Sequence, residues 1–227
     1  MYEPALFRVE ERTELIAFLR AHPLGLLIAP GAEHESGPES GNFSADLVPF
    51  LVDDAGQTLR AHIARANPLR RSLAGARRAL TVFCGPQAYV SPVHYPSKAE
   101  HGRVVPTWNY AMVQAQGVAR LREEPDWIAR QFADLTAQQE AGRPAPWAPD
   151  DAPKPYIDAQ TRSIVGLEIA IDDLRGKYKL SQNRAEPDRL GVRAGLARES
   201  VPYAPSLAAM MRATQTKDGP EAQPKIG

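Results

Sequence analysis

Four short runs hold the residues of this chain best suited to binding chemistry. HIARANP, 62–68, places His62, Arg65 and Asn67 ahead of Pro68, and YPSK, 95–98, ends in Lys98. PTWNY, 106–110, sets Thr107, Trp108 and Asn109 side by side. GKYKLSQNR, 176–184, gathers Lys177, Lys179 and Arg184 with Ser181, Gln182 and Asn183. A phosphate needs fixed cationic donors together with neutral donors to its remaining oxygens; arginine supplies a rigid fork and lysine a point charge. Arg65, Lys98 and Arg184 with Ser97 or Thr107 are of those types. A planar heterocycle needs an apolar or aromatic wall and amides along its polar edge, which Trp108, Asn109, Gln182 and Asn183 offer. Together the inventory suits a phosphorylated aromatic cofactor better than a metal or a nucleophile.

Each run also has a plainer reading. GKYKLSQNR alone reads as a solvated charge run, and Trp108 as a core or interface anchor. His62 and His94 read as hydrogen-bonded histidines, and His22 as a helix-end residue. One cysteine and five scattered histidines leave no short metal-ligand spacing. There is no GxSxG serine and no GxGxxG turn. The acidic pairs Asp53–Asp54, Asp150–Asp151 and Asp172–Asp173 read as turn chemistry.

These clusters need a scaffold, and 227 residues with 43% apolar content are enough for one large domain or two small ones. Lys+Arg 27 balance Asp+Glu 27, so no global field favours nucleic acid or an anionic membrane. RANPLRRSLAGARR is the best local basic patch and reads as a solvated helix flank; no helix-turn-helix signature accompanies it. Cys84, after an apolar run, reads as a buried strand-end residue, and a lone cysteine suits a reducing cytoplasm. No signal pattern or membrane-length apolar run is present, so a soluble cytoplasmic protein is expected.

ERTELIAFLRAHP predicts an amphipathic helix ending before Pro23. LGLLIAP predicts a buried strand, residues 31–44 a polar loop, ADLVPFLVDD and TLRAHIA two strands turning at DDAGQ. NPLRRSLAGARR predicts a short helix or turn, ALTVFCG a core strand, and GPQAYVSPVHYPSKAEHG a proline-interrupted edge or loop. VVPTWNYAMVQAQGVARL predicts a strand, EPDWIARQFADLTAQQE a helix carrying Trp127, Ile128, Phe132 and Leu135, GRPAPWAPDDAPKP a loop, and SIVGLEIAIDDL a late strand. Many short apolar strands and few helices predict a closed or nearly closed antiparallel barrel decorated with helices.

The runs MYEPALF, HIARANP, FCGPQAYVSPVHYPSK, VVPTWNY and IVGLEIAIDDLRGKYKLSQNR, in this order from Met1 to about Leu196, resemble the PaiB-type family of FMN-binding negative transcriptional regulators. The resemblance implies an FMN-binding split barrel, a six-stranded antiparallel Greek-key barrel with added helices, related to pyridoxamine-phosphate oxidase and flavin reductase-like proteins. It implies one domain over 1–196, with 197–227 a flexible tail, and a homodimer with flavin sites at the subunit interface. It places Arg65 and Asn67 near the flavin phosphate or ribityl chain and Lys98 beside the phosphate. Thr107, Trp108 and Asn109 fall along the flavin or the dimer seam, and Lys179, Gln182, Asn183 and Arg184 form a closing segment. DNA as a partner follows from the family's name only. Against the family's pattern this chain has Leu47 where a histidine is usual, His94 where a tryptophan is usual, and Tyr178 in place of a tryptophan. His94 is thereby a candidate acid or base. The other functions to weigh are an FMN-dependent oxidoreductase and a cofactor-free dimer acting through partners.

Overall fold

After a two-residue strand, β1 (Arg8–Val9), the apolar residues of the first helical pattern fold as α1 (Arg12–Ala21) in the computed structural model, which describes residues 1–31 and 43–215. Leu15, Ile16, Phe18 and Leu19 are buried, and the His22 N–H closes the last turn on the Phe18 carbonyl at 2.9 Å before Pro23 ends it. The strands that follow are β2 (Leu24–Pro30), β3 (Phe43–Pro49), β4 (Leu51–Val52) and β5 (Thr58–Ala64). Then come α2 (Leu69–Ser72), β6 (Arg77–Val90), α3 (Ser97–His101), β7 (Thr107–Arg122) and α4 (Pro125–Glu140). The chain continues through α5 (Lys154–Arg162), β8 (Ile164–Lys179), α6 (Glu186–Leu196) and α7 (Ala204–Gln215). The expected loop 31–44 lies largely outside the described residues, with Phe43 and Ser44 already in β3.

The molecule is a mixed fold of eight strands and seven α-helices among the described residues, with strand order β3-β2-β6-β7-β8-β5-β4 and β1 paired to β8. The closed six-stranded barrel expected from sequence is therefore corrected to an open hydrogen-bonded path whose ends are β3 and β4. The cause is local. Pro49 has no N–H to donate, and the N–H of buried Phe50 turns to the Pro23 carbonyl at 2.8 Å. The chain bends at that residue and pairs with β5 instead, Leu51 opposite Arg60. The turn of this hairpin is the expected DDAGQ. Asp53 Oδ1 accepts the Gln57 N–H at 2.6 Å, and Gly56 takes φ +66° under α1, where Arg12 donates to its carbonyl at 2.7 Å.

Contacts divide the chain into two compact units, Met1–Glu10 with Cys84–Met112 and Gly176–Gly227, and Glu11–Phe83 with Val113–Arg175. The second holds the antiparallel ladders β2/β3, β2/β6, β4/β5 and β5/β8. Its core includes Leu27, Leu59, Phe83, Val113, Leu167 and Ile169. The first holds the β1/β8 ladder, with Tyr95, Tyr178, Val192, Leu196 and Leu207 buried. The segment expected as a flexible tail carries α7, whose Ala204, Leu207 and Ala208 are fully buried; residues 216–227 lie outside the described residues.

Other expectations need correction. β2 is not buried on both faces: Gly25, Leu27 and Ala29 point inward while Leu24 and Leu26 are exposed. Cys84 is exposed, because it falls on the outward register of β6. Pro86 does not interrupt β6, which runs on to Val90. α5 begins at the end of the expected loop 142–155, at Lys154, and runs through 156–162, where no element was expected. Asp172 and Asp173 sit within β8 rather than at a turn: Asp172 takes a bidentate pair from Arg78 at 2.6 and 3.0 Å, and Asp173 accepts from Gln116 at 3.2 Å. No described helix is long and apolar enough to cross a membrane.

Candidate functional site

Within the first unit, the start of β7 and the end of β8 bring four of the expected residues together. Lys179 Nζ donates to the Thr107 hydroxyl and to the Trp108 carbonyl at 2.8 Å. An ammonium has three donors and no acceptor, so one N–H of Lys179 remains for something else. Burial, followed by the nearby charges of Lys177 and Arg184, pulls its pKa below the ordinary lysine value. Trp108 is 49% exposed; its indole N–H donates to Gln87 Oε1 at 3.2 Å, and its ring meets that of exposed Tyr89 edge-on at 6.1 Å. A cation with a spare donor thus sits beside an accessible aromatic pair.

The turn after β8 is held rigidly. Asn109, fully buried, donates to Ser181 Oγ at 2.8 Å, while its own Oδ1 is buried with no hydrogen-bond partner. Ser181 occupies φ +66°, a conformation that costs a non-glycine residue roughly 1 kcal/mol and persists only where surroundings enforce it. Gln182 supplies much of that enforcement. Its Oε1 accepts from the Leu180 N–H and its Nε2 donates to the Tyr178 carbonyl, both at 2.6 Å. Gln182 is thus spent on the turn. Asn183 is exposed, and the Arg184 guanidinium lies 4.9 Å from the Tyr95 ring centroid. Burial raises the Tyr95 phenol pKa, with Arg184 opposing it. Lys98 is exposed on α3, whose first residue, Ser97, donates through both N–H and hydroxyl to the carboxylate of buried Asp188 at 3.1 and 2.8 Å.

His94, the candidate acid or base, packs against α6. Its Nε2 pairs with Glu199 Oε1 at 2.7 Å, and its side chain, 14% exposed, packs on α6 at Gly195. The histidine fastens the Pro92–Tyr95 turn to α6 and the segment after it.

In the second unit, HIARANP is the end of β5 and the turn after it, and all three of its polar side chains have partners. His62 Nδ1 lies 2.7 Å from Gln131 Oε1 of α4. Asn67 donates to Asp46 Oδ2 at 2.7 Å and accepts from the Leu69 N–H at 2.9 Å. Arg65 is anchored by Nε on the Arg162 carbonyl at 2.9 Å and ion-paired through Nη1 with Glu123. Arg70 shares that carboxylate at 3.3 Å, and these two hold the Glu123 pKa below the usual carboxylate range. The structure therefore gathers Thr107, Trp108, Asn109, Lys179 and Gln182 around one turn, leaves Lys98 and Asn183 on the surface, and commits Arg65 and Asn67 to acidic partners. Gln87, Tyr89, Asp188 and Glu123 were missed from sequence. Only the alternating pattern of β6 could have flagged Gln87 and Tyr89; nothing local marks the other two.

Comparison with known proteins decides the family. Residues 1–173 match the family model described as "Putative FMN-binding domain". The chain belongs to this FMN-binding family. The PaiB-type resemblance holds as well: Protease synthase and sporulation protein PAI 2 of Bacillus subtilis (strain 168) is 30% identical over 213 residues, covering 93% of this chain and 96% of its own. The uncharacterized protein AN0679 of Emericella nidulans is 31% identical over 229 residues, covering 86% and 90%. Two solved structures share the fold, at identities too low to say more. The conserved hypothetical protein Rv2991 of Mycobacterium tuberculosis gives a TM-score of 0.57 at 16% identity, covering 82% of this chain and 95% of that one. The FAD and heme binding protein of Mycobacterium smegmatis gives 0.56 at 18%, covering 80% and 78%. FMN is the cofactor that membership of the FMN-binding family assigns, and the fit is chemically sound. An accessible Trp108–Tyr89 pair suits a planar ring, and the spare Lys179 donor suits an acceptor oxygen on it.

Proposed function

We propose that this PaiB-type FMN-binding protein holds its flavin at the cluster of Lys179, Thr107 and Trp108 and acts as a homodimer in negative regulation of transcription. The spare N–H of Lys179 beside exposed Trp108 carries the flavin part of the reading. Trp108 and Tyr89 supply the apolar wall, Lys179 the cationic donor, and the Asn109–Ser181–Gln182 turn the rigidity that keeps Lys179 in place. Lys98, Asn183 and Arg184 of the same unit are the further candidates for the flavin's polar tail. Bound FMN supplies a reversible two-electron centre. Titration with FMN and riboflavin in parallel tests the assignment: FMN retention with saturable binding near one per chain is expected, and absence of binding at tens of micromolar flavin overturns it.

The dimer has its own support. On the outward face of three neighbouring strands, Leu26 stands opposite Leu47 of β3 and Val82 of β6, and Ile28 opposite Ala45 and Leu80. Leu24, Leu26, Phe43 and Leu47 on this face are all exposed. A contiguous apolar sheet face of this kind marks an association surface. Residues 1–196 fold as one domain in this reading, because β6, β7 and β8 each contribute to both units. A cytoplasmic setting suits the single, exposed Cys84.

Regulation rests on the PaiB resemblance. Arg65 and Arg70 of the basic run are ion-paired to Glu123, and Arg78 to Asp172, so a DNA contact draws little from them. A gel-shift series over rising salt, with operator and random duplex, tests that part; equal binding to both duplexes rejects operator recognition.

A further inference from the structure

Lys177, on β8 two residues before Lys179, is a buried cation with no acid against it. It is 8% exposed. Its Nζ donates to the Tyr2 carbonyl at 3.0 Å and lies 5.3 Å from the Tyr2 ring centroid and 5.5 Å from that of Tyr110 on β7. Among the described residues no carboxylate is ion-paired with it. An ammonium has three donors and no acceptor, so two N–H groups and the positive charge are left without an anion. A charge taken out of water in this way is costly, and one carbonyl with two ring faces offsets only part of the cost. The cover over Lys177 is also light. Tyr2 is 83% exposed, Leu6 is exposed, and the turn Ala5–Phe7 buries no residue. The segment is tied down by the two-residue β1/β8 ladder, Arg8 opposite Lys177, and by Glu3 Oε2 on Arg8 at 3.5 Å. Glu3 Oε1 is buried with no hydrogen-bond partner, so lifting residues 1–4 would hydrate an oxygen that the covered position leaves unsatisfied.

We propose that Lys177 is a binding site for the carboxylate of a small aromatic acid, covered by Tyr2 and opened when residues 1–4 lift. Two N–H groups on one ammonium match the two oxygens and the single charge of a carboxylate. A phosphate dianion needs a second cation, and neighbouring Lys179 is already bonded to Thr107 and Trp108. The Tyr2 ring shows that a planar group fits against the ammonium, and an aromatic acid supplies such a ring together with the missing anion. Tyr2, Tyr110 and Lys177 all belong to the first unit, and the site does not depend on where flavin binds.

Fluorine NMR of 4-fluorobenzoate added to the full chain reads the binding, with 4-fluorobenzyl alcohol as the neutral control and phenyl phosphate as a competitor. Tyr2→Gly removes the covering ring and is expected to tighten 4-fluorobenzoate about fivefold, the scale of one cation–π contact. Lys177→Met is expected to weaken it about tenfold or more, the scale of a charge-assisted hydrogen bond, while Lys179→Met leaves it unchanged. None of the three should alter the alcohol. Acetylation of Lys177 by acetic anhydride, followed on its peptide by mass spectrometry, needs no lysine variant: 4-fluorobenzoate should slow it in the wild type, and Tyr2→Gly should speed it. Equal 4-fluorobenzoate affinity in the wild type and Lys177→Met, or Lys177 acetylation indifferent to the acid, overturns the proposal. Displacement of the acid by phenyl phosphate at lower concentration than by unlabelled benzoate overturns the choice of a carboxylate. FMN retention is a separate reading, so the flavin site stands or falls without this one.

Discussion

Gly195→Ala offers a sharp test of how the first unit is packed. An added Cβ would lie 2.5 Å from His94 Cε1 and 2.6 Å from Cγ, well inside any real Cβ contact, and the ring cannot swing aside while Nε2 holds Glu199 at 2.7 Å. Nor can the turn carrying it retreat freely, since Gly191 one helical turn earlier already has Pro96 Cδ 2.7 Å from where its own Cβ would lie. Overpacking of this kind costs about 1–3 kcal/mol, and losing the His94–Glu199 hydrogen bond costs about 1 kcal/mol more. Replacing a helical glycine by alanine returns up to about 1 kcal/mol. The net expectation is a loss of roughly 1–3 kcal/mol. In a His94→Ala background the space is open and only the helical gain remains, so Gly195→Ala becomes neutral to stabilising by up to about 1 kcal/mol. Urea denaturation followed by far-ultraviolet circular dichroism on the four proteins of the cycle reads both numbers. A neutral or stabilising Gly195→Ala in the wild-type background would refute the reasoning, and so would the absence of coupling. His94→Ala should itself leave flavin binding unchanged, because the ring faces α6.

The remaining expectations concern ligand and assembly. Trp108→Ala should weaken FMN and riboflavin alike, by roughly tenfold on the scale of an aromatic stacking contact, in fluorescence titrations; loss confined to FMN contradicts a ring contact. FMN affinity should fall as pH rises through the depressed pKa of Lys179, because the neutral amine has two N–H groups and both are spent on Thr107 and Trp108. Lys179→Arg should push that fall to higher pH, and a wild-type profile unchanged by the substitution counts against the assignment. In the flavin-free protein the linkage has the opposite sense: the unfolded chain holds the Lys179 proton more tightly, so stability rises with pH from the folded value up to the ordinary lysine value near 10.4. Leu47→Asp or Leu26→Glu should shift the protein toward monomer in sedimentation equilibrium while preserving its circular dichroism; an unchanged mass distribution means that the β2–β3 face is not the seam.

Much of the scaffold was legible because single elements announced themselves. The spacing of Leu15, Ile16, Phe18 and Leu19 gave α1, Pro125 and the Ile128–Leu135 spacing gave α4, and alternation from Met112 onward gave β7. The failures have physical causes. LGLLIAP is apolar throughout, so its sequence looks doubly buried although one face is open. Pro86 was read as a break, yet β6 passes through it with the residue buried. α5 begins at Lys154, at the end of the expected loop, where Pro155 merely occupies the first turn, and runs through 156–162, where no element was expected. For the site, residue types singled out PTWNY and GKYKLSQNR, and the two runs meet through Lys179 and through Asn109–Ser181. What each side chain does was illegible. The partners of Arg65, Ser97 and His94 lie 58, 91 and 105 residues away, and no local pattern links Glu123, Asp188 or Glu199 to them. Gln182, expected at the flavin, is consumed by a turn that only the positive φ of Ser181 reveals.

The central claim is that flavin sits against Lys179 and Trp108, and the visible absorption spectrum of protein saturated with FMN and then desalted addresses it most directly. The account predicts a flavin band retained near one per chain by the wild type and largely lost by Lys179→Met, with the variant still folded. A wild type that elutes colourless, or a Lys179→Met protein that keeps its flavin as firmly, would contradict it.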